Sequence, residues 1–152
     1  MPEKATRERA RRDRREGKAP TTQAGEFVRE EIEHVREGKH GARSTKQAIA
    51  IGLSKARRAG VKLAAPGRGT SRATQRKAAA DTRKGRSGGT KKARPSARRS
   101  RASEGALKRE GRSAGSRKAL SRQARSAAAK RGPASRSASA RAAARTRASR
   151  SR

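Results

Sequence analysis

The side chains best suited to chemistry in this sequence are its cations, 45 Lys and Arg against 12 Asp and Glu over 152 residues. They often form adjacent pairs, which is a pattern suited to phosphate polyanions, because each neutralised phosphate releases counterions. The sequence thus predicts nucleic-acid binding. The residues predicted to make contacts are Arg43, Lys46, Lys55, Arg57, Arg58, Arg76, Lys77, Lys91, Lys92, Arg98, Arg99, Arg117, Lys118, Arg122, Arg125, Lys130 and Arg131.

The charge is unevenly distributed along the chain. Residues 1–37 hold ten Lys or Arg and nine Asp or Glu, whereas residues 38–152 hold thirty-five and three. A solvated helix face normally mixes the two signs, but only Asp81, Glu104 and Glu110 interrupt the later positive field. Self-repulsion at this charge opposes a compact state unless a polyanion neutralises it. We therefore expect a long basic tail that is largely disordered or becomes helical on binding.

Other chemistries have little support in the sequence. Cysteine is absent, which removes thiol chemistry and disulfides. The serines have no histidine and acid at a recognisable spacing, and residues 88–91 lack the Gly-Lys-Ser/Thr order of a phosphate loop. His34 and His40 lie near Glu30 and Glu37, but a mixed Glu/His surface on an acidic helix is far commoner than a metal site. The sequence predicts no enzyme, cofactor, metal or small-molecule substrate.

The larger apolar residues gather in one part of the chain, with nine of twelve between Phe27 and Leu63. Two amphipathic helices are predicted there, one over Gln23 to Glu37 and one that begins at the capping box Ser44-x-x-Gln47. The second helix is expected to end at Gly60 as a left-handed cap, with Val61 as its apolar companion. The short connection predicts a helical hairpin. Its facing residues are expected to be Phe27, Val28, Ile32 and Val35 against Ile49, Leu53 and Ala56.

The rest of the chain is predicted to be weakly helical. The stretch from Glu3 to Glu16 has paired charges but no apolar face, so by itself it should fray. Four glutamates near the end of the next helix are expected to meet the basic tail or a protein partner, and they are Glu30, Glu31, Glu33 and Glu37. The all-α chain is thus divided into a charged helix and linker (1–20), a hairpin (21–63), a Gly/Pro-broken linker (64–102), a degenerate basic helical repeat (103–133) and an Ala/Ser/Arg tail (134–152).

Sequence-specific reading of bases is less favoured than backbone binding. If the hairpin were a helix-turn-helix, the start of its second helix would reach base edges, with Arg43, Ser44, Thr45, Lys46 and Gln47 as the candidates. That motif normally needs a third packed helix, and the apolar residues account for only two. Phe27 is the only aromatic residue, so stacking on single-stranded bases is poorly supported.

The segment GEFVREEIEHVREGKHGARSTKQAIAIGLSKARRAGVKL, from Gly25 to Leu63, resembles an uncharacterised bacterial family of small basic proteins. Some members of that family carry an automatic label linking them to plasmid stabilisation. The later segment ALKREGRSAGSRKALSRQARSAAAKRGP is similar in style to the family's C-terminal extensions, and the tail resembles linker-histone-like chromosomal proteins in composition. The resemblance implies a bacterial, cytoplasmic protein and assigns no site residue.

Together these observations predict a DNA-binding protein that does not depend on base sequence and acts in the bacterial nucleoid. DNA compaction, DNA protection or plasmid maintenance is the expected consequence. RNA or ribosome binding, and a protein-interaction module with a non-specific polyanion-binding tail, are the alternatives. A homodimer through the hairpin is also expected, whereas a membrane partner is not, because no basic helix has a strong apolar face.

Overall fold

The computed structural model describes residues 2–67, 69–87 and 96–150, and every regular element in these ranges is helical. The all-α prediction is therefore confirmed. The chain forms two compact units, residues 1–116, called the head unit below, and residues 117–152, called the tail unit. The described helices are α1 (Lys4–Arg15), α2 (Pro20–Glu37), α3 (Thr45–Arg58), α4 (Arg72–Arg86), α5 (Ala97–Lys108), α6 (Arg117–Ala129) and α7 (Pro133–Arg150), with a 3₁₀ turn at Ser113–Gly115.

Helices α2 and α3 pack on each other at the centre of the head unit, as predicted. Gly52 lies where they cross, and a Cβ added there would lie 2.7 Å from the Cα of Val28. The two backbones therefore approach each other as closely as a residue without a side chain allows. This close crossing explains why the second helix has a glycine in its middle in spite of the poor helix propensity of glycine.

Both ends of α3 are built as the sequence predicts. The Ser44 hydroxyl accepts a hydrogen bond from the backbone N–H of Gln47 at 3.2 Å. The Gln47 side chain returns to the backbone N–H of Arg43, one residue before the cap, rather than to that of Ser44. At the other end Gly60 has φ +90°, and the N–H of Val61 donates to the carbonyl of Ala56. Val61 is also buried in the core, as an apolar companion of such a cap should be.

Helix α1 is a folded part of the head unit, where it packs on α2 instead of standing by itself. Thr6 and Ala10 are buried, and the guanidinium of Arg9 lies 2.6 Å from a carboxylate oxygen of Glu26 on α2. The backbone N–H of Glu3 also donates to Glu30. The helix lacks large apolar side chains, so it packs through small residues and ion pairs that the apolar periodicity could not reveal.

The core consists of two small clusters in which alanine predominates. One joins Ala10 of α1 to Phe27 and Ala56, with Leu53 packed against it, and the other contains Val35. Phe27 and Val35, expected to face one common surface, therefore lie in separate clusters, while Val28, Ile32 and Ile49 are only partly buried. Small side chains let the helices approach closely. The remaining core members are Ala24 and Val61 in the first cluster and Ala42, Ala48 and Ala114 in the second.

Residues from two distant parts of the chain complete the head unit. Helix α4 packs on α3, and the segment before α6 lies against the loop between α2 and α3. In that loop, the N–H of Gly41 donates to the carbonyl of Leu107, and the N–H of Ala42 donates to that of Gly111. Residues 36–60 and 109–132 share a degenerate sequence pattern, in which Arg-Glu-Gly is followed by Ser-x-Lys and a closing glycine. The bond from Ala42 to Gly111 joins these two copies. They differ in their turns, since Gly38 has φ +76° and Gly111 has no positive φ.

The described residues of the tail unit are helical except at 130–132, so the predicted disorder is not confirmed. Pro133 begins α7, where its missing N–H costs no hydrogen bond and its fixed φ suits a helix. Of the described helices, none is both long and apolar enough to cross a membrane.

Candidate nucleic-acid interface

Lys55, one of the predicted nucleic-acid contacts, points into the head unit. Its Nζ lies 2.6 Å from Oε2 of Glu31 and 3.1 Å from Oε1 of Glu30. Burial lowers the pKa of Lys55, but hydrogen bonds and charge from Glu31 and then Glu30 outweigh burial, and the net shift is upward. The ammonium charge is therefore neutralised within the fold, and we do not include Lys55 among the contacts proposed below.

Glu30 and Glu31, expected on the surface, are 2% and 1% exposed. Burial raises the pKa of Glu30, but hydrogen bonds from Thr6, Lys55 and the backbone of Glu3 outweigh it and hold the pKa below its ordinary value. The physical reason is that α1 covers this side of α2, so the two carboxylates face α1 and α3 instead of solvent. Glu33 and Glu37 are exposed, as expected.

Arg58 is also engaged within the head unit. Its Nε lies 3.4 Å from Asp81 of α4, and one of its Nη atoms donates to the Ser54 hydroxyl. The Ser54 hydroxyl in turn donates to Asp81, which is 6% exposed. This group joins α3 to α4. The negative charge of Asp81 is paired within the head unit, so it does little to repel a polyanion at the surface. Arg57 is partly buried and donates to the carbonyl of Ala64.

The start of α3 offers two exposed cations and little that could read bases. Thr45 is buried and its hydroxyl donates to the carbonyl of Ala114 at 2.7 Å. Ser44 and Gln47 are occupied in capping the helix. Arg43 and Lys46 remain exposed. This end of the helix therefore suits phosphate contact better than base readout.

Sequence reasoning missed a row of arginines on α1. Arg7, Arg11 and Arg14 line an open groove whose floor includes Phe27 and Val61, and no carboxylate lies among its lining residues. All three arginines are exposed. The available signal was their i, i+4, i+7 spacing, which places them on one helix face. Because the net charge of the first 37 residues is close to zero, composition gave no indication of this basic face.

In the tail unit, α6 carries three of its four cations on one face. Lys118, Arg122 and Arg125 line one surface together with Ser126 and Ala129. The partly buried residues of α6 are Ala119, Leu120, Gln123, Ala127 and Ala128. Most of these lie on the other side of the helix at 100° per residue, so the helix separates a basic face from a less polar one.

The other predicted contacts are dispersed over the surface. Those with exposed side chains are Arg76 and Lys77 on α4, Arg98 on α5, Arg117 at the start of α6, and Lys130 and Arg131 after it. Arg99 lies within α5. Lys91 and Lys92 fall outside the described residues. Among the described residues, the predicted contacts of the head unit therefore lie on several helices, and those of the tail unit lie on α6 and the turn after it.

The comparison with known protein families finds a match for the part of the chain that contains α2 and α3. Residues 8–69 match a family of unknown function (DUF6496). The match covers less than half of the chain, from within α1 to beyond α3, and the chain is similar to that family over this part. It bears out the predicted resemblance to an uncharacterised family and extends it to most of α1. No curated protein and no solved structure matches the chain significantly.

Proposed function

We propose that this chain is a non-enzymatic DNA-binding protein that contacts the phosphate backbone largely without regard to base sequence. The observation that carries the proposal is the composition of the tail unit, which holds twelve Lys or Arg and no Asp or Glu over residues 117–152. The cations of α6 are exposed, as are Lys130 and Arg131 in the turn after it and the arginines of α7 at positions 136, 141, 145 and 147. No carboxylate of the tail unit itself can neutralise them, so an external polyanion is the natural counter-charge.

The length of the basic face of α6 suits contact with the phosphate backbone of DNA. Seven residues at about 1.5 Å each place Lys118 and Arg125 about 10 Å apart along the helix axis. Duplex DNA carries about six phosphate charges over that length. Three cations on this face would therefore lie beside about twice as many phosphate charges. Such contacts do not depend on the base sequence, because every duplex has the same phosphate backbone.

Helix α7 supports the same reading. Arg136, Arg141, Arg145 and Arg147 are exposed and lie on different sides of the helix, and no described residue of α7 is buried. A helix that is polar all round has no face to bury against protein. Its alanines supply helix propensity, but an isolated charged helix of this length is marginal in water. We therefore propose that DNA binding increases the helicity of the tail unit.

The biological consequence we propose is DNA compaction or protection in the bacterial nucleoid, with plasmid maintenance as one setting for it. The matched family has no established function, so it supports neither this setting nor an alternative one. The head unit contributes Arg43, Lys46 and the α1 arginine row as further phosphate contacts.

Fluorescence anisotropy with labelled duplex DNA, structured RNA and single-stranded DNA at one salt concentration tests the proposal. We expect duplex DNA of any sequence to bind with similar affinity, and log Kd to rise steeply and linearly with log salt. Absence of binding to duplex DNA at low salt would refute the proposal. Binding of structured RNA at least tenfold tighter than duplex DNA would favour an RNA-binding protein instead.

Two matched charge variants test whether the tail binds by charge rather than by a particular face. One replaces Lys118, Arg122 and Arg125 with glutamine, and the other replaces Arg136, Arg141 and Arg145. Each removes three cations, so each should lower the salt slope by at most about 2.7, at about 0.9 per phosphate. Unchanged slopes in both variants would contradict a tail interface, and a loss confined to the first would indicate a defined α6 site.

A further inference from the structure

Three potential metal ligands converge at the C-terminal end of α2. Glu31 and His34 lie three residues apart on one face of the helix, and the following loop brings His40 back towards them. One ligand atom from each residue lies within 4.8 Å of the other two. Sequence spacing alone suggested Glu30 and Glu37 as the neighbours of His34, but the fold selects Glu31 instead.

The hydrogen bonds of His40 fix which of its nitrogens can bind a metal. Its Nδ1 lies 3.0 Å from the carbonyl oxygen of Gly41, and because a carbonyl only accepts, Nδ1 carries the hydrogen. In the neutral ring the lone pair is then on Nε2, 3.2 Å from Oε1 of Glu31. Two acceptors this close require a cation. Ligands about 2.0–2.2 Å from a tetrahedral zinc ion lie about 3.3–3.5 Å apart, close to the observed separation.

His34 has the outer-sphere partner typical of a metal-bound imidazole. Its Nε2 lies 3.0 Å from Oε1 of Glu3, a carboxylate that can only accept. Nε2 therefore donates, and Nδ1 of the neutral ring holds the lone pair. A carboxylate that receives the second N–H of a ligating histidine fixes the ring and raises its basicity.

The local charge also favours a cation, although the chain as a whole is strongly basic. Oε2 of Glu31 faces Lys55, which leaves Oε1 on the side of His40. The carboxylates of Glu3, Glu30 and Glu31 outnumber the ammonium groups of Lys39 and Lys55 that contact them. With both imidazoles neutral the cluster has one uncompensated negative charge. Elsewhere a net charge of +33 disfavours adventitious cation binding.

We propose that Glu31, His34 and His40 bind one divalent transition-metal ion, with Zn²⁺ the best match. Imidazole nitrogens disfavour Mg²⁺ and Ca²⁺, which prefer oxygen ligands, and two histidines with one carboxylate form a known zinc ligand set. Three protein ligands leave a fourth position for water or another ligand. The ion ties the end of α2 to the loop before α3, and this site is independent of DNA binding by the tail.

The test uses the full chain without an affinity tag, titrated with ZnCl₂ and followed by calorimetry and by ¹H–¹⁵N spectra of the imidazole rings. The sequence contains only two histidines, so single variants assign both rings. We expect one Zn²⁺ per chain and a large shift of the ligating nitrogen in each ring. Rings that respond to pH but not to Zn²⁺ would show that a proton is the bridging cation, and would overturn the proposal.

Three variants separate ligands from neighbours. His40→Ala removes a ligand and should weaken Zn²⁺ binding by more than about 100-fold, beyond the range for outer-sphere changes. Glu3→Ala removes the carboxylate behind His34 and should weaken it by about tenfold. Glu33→Gln, an exposed carboxylate on the same helix, is the control and should leave the affinity unchanged. Wild-type affinity in a folded His40→Ala chain, verified by circular dichroism, would also overturn the site.

Discussion

The head and tail units use the same kinds of charged residue in opposite ways. In the head unit, buried carboxylates neutralise cations across helix contacts, as Glu30 and Glu31 do with Lys55 and as Asp81 does with Arg58. In the tail unit there is no carboxylate at all, and the described cations point outward. The comparison teaches that net charge alone does not locate an interface. What matters is which cations the fold has already neutralised.

Removal of the tail unit should produce the largest effect. A chain that ends at Ser116 loses twelve cations, and we expect its affinity for duplex DNA at 50 mM salt to fall by about 10³-fold or more. The compact unit 1–116 should keep a cooperative thermal transition. Anisotropy and circular dichroism measure the two quantities. If the truncated chain kept wild-type affinity, the interface would lie in the head unit, and the proposed difference between head and tail cations would be wrong.

Lys55→Met tests the other side of the comparison. It leaves two nearly fully buried glutamates without their ammonium partner, which should destabilise the head unit by about 3–5 kcal/mol. Urea denaturation measures the loss. Lys62→Met removes an exposed cation and should change stability by less than about 0.5 kcal/mol. If the two variants were equally stable, Lys55 would be a surface cation like those of the tail.

Two glycines on neighbouring helices provide a test of close packing in the head. Gly52→Ala forces a methyl group against the backbone of α2 and should cost about 1–3 kcal/mol. Gly25→Ala, within α2, meets nothing within 4 Å and should stabilise by about 0.5–1 kcal/mol through helix propensity. Thermal or urea denaturation distinguishes the signs. Stabilisation by both changes would show that the helices do not cross at Gly52.

The smallest expected effect is a pH dependence in the head that the tail lacks. The hydrogen bond from Lys18 lowers the pKa of Glu16 below its ordinary 4.5. The stability gained from this pair is present above about pH 4.5 and is lost as pH falls through the folded pKa. Lys18→Met should therefore reduce the change in urea midpoint between pH 6 and pH 3. If the change in urea midpoint were as large in the variant as in the wild type, the pH dependence would come from other carboxylates.

The pH dependence of DNA affinity is the matching measurement for the tail unit. Ten of the twelve cations of the tail unit are arginines, which stay charged throughout the accessible pH range. Affinity should thus stay constant between pH 6 and pH 8 at fixed salt. A change of more than about tenfold would mean that titrating groups of the head take part in binding.

Several features of the fold could be predicted because they depend on neighbours in sequence. The Ser44 cap and the left-handed cap at Gly60 involve contacts within one helical turn, and both are present, although Gln47 returns to Arg43 and not to Ser44. The hairpin followed from apolar spacing in α2 and α3. Helix α1 could not be placed in the same way, since its packing depends on Ala10 and Thr6 meeting partners about twenty residues away.

The candidate sites show the same limit. Sequence spacing identified the basic field of the tail, where each cation acts on its own. It misassigned Lys55, Glu30 and Glu31, because their environment is set by α1 covering α2. It also missed the juxtaposition of His40 with Glu31, which depends on the path of the loop after Gly38.

The sequence by itself determined the composition, a polycation with most of its larger apolar residues in one short region. It also determined α2, α3 and the ends of α3, since caps and periodicity are local. Only the tertiary structure decided which charges remain available and which are neutralised. The physical reason is that desolvation and ion pairing depend on distances between residues far apart in the chain, as for Lys55 with Glu31, and spacing along one helix does not contain those distances.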